Sequence, residues 1–133
     1  MTMFIIVIIF VLIIIMWLFL MVTFSKDYKI SSSDKKFFNE QLKKIISSES
    51  YKEQIIDIDK LYHKVLLKAG YKWTFWEILK SEPSEISNLQ KIWELHKLRN
   101  NLVHDFNSSS DKELKNNAEN YLKEIKNLIT QFK

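Results

Sequence analysis

The first 24 residues contain no charged side chain, and almost all of them are Ile, Val, Leu, Phe or Met. As an α-helix, residues 3–24 would rise about 33 Å, which is enough to span the hydrocarbon core of a bilayer. A secretory signal peptide has a basic start, a shorter apolar segment and a small-residue cleavage site, and the stretch has none of these features. A buried helix of a soluble core is rarely so long and so uniformly apolar. The sequence therefore predicts a transmembrane helix over residues 1–24.

The residues that flank this helix predict its orientation. No lysine or arginine precedes it, whereas Lys26, Lys29, Lys35 and Lys36 follow it closely. The excess of positive charge marks the cytoplasmic side, and the absence of cysteine gives no disulfide signal for an extracellular domain. We expect a single-pass protein with its N-terminus outside, a polar linker over residues 25–33 and a cytoplasmic domain over residues 34–133.

The domain is predicted to be entirely helical. It contains one glycine, one proline and no alternating or hairpin pattern typical of strands. Apolar residues recur at helical spacing, and Ser or Thr precedes Glu by three residues at three predicted helix starts. Trp93 falls on the predicted core-facing arc of the fourth helix. Pro83 suits the first turn of the same helix. The predicted helices of this bundle cover residues 34–47, 50–70, 75–80, 84–104 and about 110–132.

Several kinds of site are disfavoured by composition and spacing. A single glycine cannot form a glycine-rich phosphate loop, and a chain without cysteine or a His-Glu-x-x-His pattern is a poor zinc protein. Asp57 and Asp59 are two residues apart on a helix and therefore point to different faces, which disfavours a paired-carboxylate site. We expect no metal and no cofactor. The net charge of +4 suits an anionic membrane surface or a nucleic acid, although solvated lysines are the simpler explanation.

The most unusual polar residues lie in the stretch W-E-L-H-K-L-R-N-N-L-V-H-D-F at residues 93–106. Arg99 is the only arginine among 20 lysine and arginine residues, and its planar guanidinium offers a geometry that lysine lacks. His96 falls within the apolar arc, as a hydrogen-bonded core histidine or as a supporting site residue. Arg99 and His104 would lie about 140° apart around an uninterrupted helix. They converge only if the helix ends between them or if a second subunit supplies one of them.

The string Leu-Arg-Asn-Asn-Leu-Val-His at residues 98–104 resembles the R-x4–6-H signature of the HEPN superfamily. The predicted architecture is also similar, because the motif lies near the end of the penultimate helix of a small up-and-down bundle. The resemblance implies a homodimer that acts as a metal-independent endoribonuclease on RNA. Arg99 would contact the scissile phosphate, Asn100 would orient the pair, and His104 would act as general acid or base on the ribose 2′-OH or the leaving oxygen.

Two other interpretations stay open. Many HEPN members are inactive or serve as partner proteins, so the domain can be a non-catalytic, membrane-anchored module that dimerises or holds an unidentified protein partner. Alternatively, Arg99, Asn100 and His104 only cap their helix and bond Asp105, an arrangement that the helix dipole favours for cations. If the site is composite, Leu98 and Leu102 are predicted to lie near the dimer interface.

Overall fold

The computed structural model of the chain describes residues 2–23, 28–104 and 109–132. In that part of the chain every regular element is an α-helix, as the lack of strand patterns predicted. The six helices are α1 (Thr2–Thr23), α2 (Ser32–Ile46), α3 (Tyr51–Ala69), α4 (Phe75–Lys80), α5 (Leu89–Val103) and α6 (Asp111–Gln131).

Helix α1 contains an 18-residue window, Met3–Leu20, that is long and apolar enough to cross a membrane. The side chains of residues 3–20 are all exposed, so this apolar surface is not covered by the rest of the protein. By length and composition alone, a transmembrane segment and a signal sequence fit this helix equally well. The predicted end of the anchor at Phe24 lies outside the described residues.

Helix α3 is the centre of the bundle and packs against α2, α5 and α6. Its buried stripe meets the inner faces of the other helices, and α4 covers one side with three buried apolar residues. Burial of this apolar surface is the main force that holds the helices together. Residues that are 2% exposed or less include Leu42, Ile55, Ile58, Tyr62, Val65, Leu66, Ile78, Leu79, Ile92, Leu95, Tyr121, Ile125 and Leu128.

The predicted helix starts at Ser50, Thr74 and Ser110 are confirmed. Each hydroxyl accepts a hydrogen bond from the backbone N–H three residues later. At Thr74 the capping box is complete, because Glu77 also accepts from the Thr74 backbone. Gly70 ends α3 with φ of +122°, a conformation that side chains with a Cβ rarely adopt.

The start of α5 was predicted wrongly. The helix begins at Leu89 instead of Ser84, because the side chain of Asn88 accepts a hydrogen bond from the Lys91 N–H and caps it there. Residues 83–88 form turns, with the Ile86 N–H donating to the Pro83 carbonyl. Ile86 is buried, so this segment belongs to the packed core.

The packed domain includes residues that the sequence assigned to the linker. Ile30 is 4% exposed, and Tyr28 stacks on Tyr71 with ring centroids 3.9 Å apart. Ser31 caps α2 by accepting a hydrogen bond from the Asp34 N–H. The chain therefore meets the bundle at Tyr28, before the expected domain start at residue 34.

The core-facing arc of α5 also differs from the predicted one. Ile92, Leu95 and Leu102 are its buried residues, whereas Val103 is exposed and Trp93 is only partly buried. Trp93 instead packs edge-on against Trp76, with ring centroids 4.5 Å apart. The buried arc of α5 is rotated toward Arg99. This rotation is possible because the guanidinium of Arg99 lies next to the buried carboxylate of Asp59.

The two adjacent phenylalanines of α2 give a direct test of the packing. Phe38 is 4% exposed, whereas Phe37 is 52% exposed. We expect Phe38→Ala to lower the free energy of unfolding by about 3–5 kcal/mol, because it leaves a cavity in the core. Phe37→Ala is the matched control and should change it by less than about 1 kcal/mol. Urea unfolding of the full chain in detergent, followed by circular dichroism, measures both. Equal losses would mean that the buried face of α2 is misassigned.

Candidate functional site

Asp59 is the buried charged residue at the centre of the bundle, and its side chain is 5% exposed. Tyr121 of α6 donates its hydroxyl to Asp59 Oδ1 at 2.5 Å. His96 Nδ1 of α5 lies 2.8 Å from the same oxygen, and Arg99 Nε lies 3.5 Å from Oδ2. Side chains from two other helices, α5 and α6, therefore converge on this carboxylate of α3. Together with Asn100, these four residues are called the Asp59 cluster.

The spacing of the residues along each helix produces this convergence. Asp59 is four residues after Ile55 and three before Tyr62, so it lies on the buried stripe of α3. His96 and Arg99 are three residues apart and share one face of α5. Tyr121 occupies the buried stripe of α6 between Ala118 and Ile125.

An ionised carboxylate only accepts hydrogen bonds, so His96 donates through Nδ1. The ring of Phe75 meets His96 edge-on, with centroids 4.7 Å apart, and Tyr62 is fully buried nearby, stacked on Phe75. These rings exclude water, and electrostatic interactions are stronger where water is excluded. Burial, and then the negative charge of Asp59, raise the pKa of Tyr121 well above its usual range. The phenol therefore stays protonated and remains a donor.

Arg99 connects the buried cluster to the surface. Its Nε is fully buried and has no hydrogen bond, although it lies within ion-pair distance of Asp59. Its Nη1 donates to Asn100 Oδ1 at 2.9 Å. The side chain is 27% exposed, and this exposure belongs to atoms other than Nε. The guanidinium is thus held at two of its nitrogens while part of the side chain reaches solvent.

His104 lies outside the buried cluster, at the end of α5. It is the C-cap residue, its side chain is exposed, and its backbone N–H donates to the Asn100 carbonyl. The structure thus brings Arg99, Asn100 and His96 together and places His104 just beyond them on the surface. Asp105, the partner that the capping interpretation requires, lies outside the described residues.

Leu102, which was predicted to lie near a dimer interface, belongs to the core of a single chain. It is 3% exposed within a single chain, because it packs into the core of the bundle. Leu98 is partly buried against the same core. Neither leucine therefore offers a fully exposed apolar surface for a dimer.

Sequence reasoning missed Asp59 and Tyr121 as members of the site. The prediction that Asp57 and Asp59 point to different faces is confirmed, since Asp57 is exposed and pairs with Lys60 at 3.0 Å. The available signal was that Asp59 interrupts the apolar stripe of α3, where an acidic residue requires a partner. Within the described ranges, no group of three or more His, Asp or Glu residues could hold a metal ion.

No family model matches the chain, and the searches of curated proteins and of solved structures give no match either. The HEPN resemblance depends on residues 98–104 and on the order of the helices, and it remains a prediction.

The Asp59 cluster can be tested by comparing the two aspartates of α3. We expect Asp59→Asn to lower the free energy of unfolding by about 3–5 kcal/mol, because it leaves the Arg99 charge partly buried without its counter-charge. Asp57→Asn is the matched control, and the loss of its exposed pair should cost no more than about 1 kcal/mol. Denaturant unfolding of the full chain in detergent gives both values. An Asp59→Asn protein as stable as the control would contradict a buried ion pair at this site.

Proposed function

We propose that this chain is a single-pass membrane protein whose cytoplasmic helical domain is a HEPN-like, metal-independent endoribonuclease. The observation that carries the proposal is the state of Arg99, which is ion-paired to Asp59, bonded to Asn100 and still partly exposed. A guanidinium recognises phosphate through its planar set of donors. Fixing that plane before the substrate arrives is the preorganisation that a catalytic site requires.

His104 is the second element of the proposed site. It is exposed at the end of α5, and an imidazole exchanges protons near neutral pH. In the proposed reaction His104 takes the proton of the ribose 2′-OH, and the 2′ oxygen forms a bond to phosphorus. The bond from phosphorus to the 5′ oxygen breaks, and that oxygen takes a proton from a second imidazole. Arg99 stabilises the charge that develops on the phosphate.

A homodimer supplies the second imidazole. Arg99 belongs to the inner side of α5 and His104 to its exposed end, so one chain does not present both on one helix face. A two-fold axis near the end of α5 would place two copies of each residue together. The burial of Leu102 removes the apolar surface first expected there, so this dimer would be held mainly by the polar residues and the exposed Val103.

Membrane insertion of α1 is part of the proposal. The uncharged window Met3–Leu20 supports it, and the four lysines that follow within residues 26–36 support a cytoplasmic domain. The RNA substrate would then be cleaved at the inner surface of the membrane.

The alternative is a non-catalytic, membrane-anchored interaction module with a protein partner. One observation favours it: Arg99 is ion-paired with a carboxylate of its own chain, as expected of an arginine with a purely structural role. In this case His104 would contribute to a protein interface and not to a reaction.

Cleavage of a fluorescent single-stranded RNA by the full chain in lipid nanodiscs separates these functions. His104→Ala is the cleanest variant, because the residue is exposed and lies outside the Asp59 cluster; we expect a loss of roughly 10²–10⁴-fold. Arg99→Ala should lose at least about 10²-fold, and Arg99→Lys should not restore the rate because an ammonium lacks the planar donors. A metal chelator should have no effect.

Lys97→Ala at an exposed position of α5 is the matched control and should cleave normally. Light scattering gives the oligomeric state of each variant. A well-folded dimer that leaves RNA intact would favour the interaction module. A strictly monomeric protein would exclude the composite site.

A further inference from the structure

The connection between α1 and the helical bundle is short. Helix α1 ends at Thr23, and the chain is packed in the domain again from Tyr28, where the Tyr28 and Tyr71 rings stack. Five residue steps span at most about 18 Å, even when fully extended. If α1 crosses a bilayer, the surface around Tyr28 and Tyr71 is therefore held close to the point where α1 leaves it.

The surface near this point carries exposed tryptophan. Trp73 is 51% exposed and shares a groove of about 390 Å³ with Tyr28 and Tyr71. Trp76, three residues further, is 48% exposed, and Lys80 Nζ lies 5.5 Å above its ring. Lys72 is exposed beside Trp73. Residues Lys72, Trp73, Trp76 and Lys80 are called the tryptophan corner.

These residue types match the interfacial region of a bilayer. Tryptophan is enriched there because its ring is apolar and its N–H can still meet water or headgroups. Lysines near a bilayer are attracted to an anionic leaflet. Glu82 and Glu85 line the same groove, but Glu85 accepts a hydrogen bond from the Tyr71 hydroxyl at 2.8 Å. The acidic pair opposes binding to anionic lipid, so the indole rings would carry most of the attraction.

We propose that the tryptophan corner rests in the headgroup region of the same bilayer that α1 spans. The occupant of this surface is the lipid interface. The proposal rests on the membrane insertion stated above and is independent of RNA cleavage. Its consequence is a fixed orientation, because the domain then contacts the membrane through both its tether and the corner.

Tryptophan fluorescence of the full chain in vesicles tests this contact. The substitution Trp17→Phe in α1 is made first, so that the remaining tryptophan emission comes from the domain. Vesicles of phosphatidylcholine with bromine near the glycerol end of the acyl chains should quench a large part of this emission. Trp73→Phe with Trp76→Phe should remove most of the quenchable part. Trp93 packs against Trp76 and is therefore kept in every protein, and vesicles of phosphatidylcholine without bromine are the matched control.

Other outcomes overturn the proposal in distinguishable ways. Emission quenched by aqueous iodide and not by the brominated lipid would mean that the corner faces water. Protection from both quenchers that depends on the protein-to-lipid ratio would assign the corner to a second copy of the chain. Release of the protein from the vesicles by alkaline carbonate would show that α1 does not span the membrane. That result would exclude the proposed contact of the tryptophan corner as well.

Discussion

The rest of the domain depends on one buried carboxylate, that of Asp59. An isolated charge in an apolar interior is strongly unfavourable, so it persists only where donors compensate for the lost water. Here the compensation comes from Tyr121 on α6 and from His96 and Arg99 on α5. These donors lie 62, 37 and 40 positions away in sequence, so Asp59 specifies how three helices align. Apolar packing supplies most of the free energy of folding, and the carboxylate determines how α3, α5 and α6 align with one another.

The same interaction determines what Arg99 can do. By holding Nε inside the bundle, Asp59 fixes the guanidinium, and Asn100 fixes a second nitrogen. A phosphate ligand would meet a group that has already lost its rotational freedom, which favours binding in one geometry. The same ion pair would also serve a purely structural role. The two proposed functions therefore share one architecture and differ in the role of the exposed His104.

Local signals in the sequence predicted the helices well. Ser50, Thr74 and Ser110 cap them where expected, because a cap is formed by residues three positions apart. The start of α5 was missed because the prediction relied on Pro83, whereas Asn88 provides the cap. Asp59 was not predicted as a site residue because its partners come from distant helices. Only the packed structure shows that the arc of α5 turns Arg99 toward it.

The most direct test of this account is a double-mutant cycle between Asp59 and Arg99 in the full chain. Asp59→Asn, Arg99→Gln and the double variant are unfolded in urea, and their free energies of unfolding are compared with that of the natural sequence. If Asp59 holds Arg99, the two substitutions should be coupled by more than about 1 kcal/mol, because either one alone leaves its partner uncompensated. Effects that add to within about 0.3–0.5 kcal/mol would show that the residues act independently and would contradict the account.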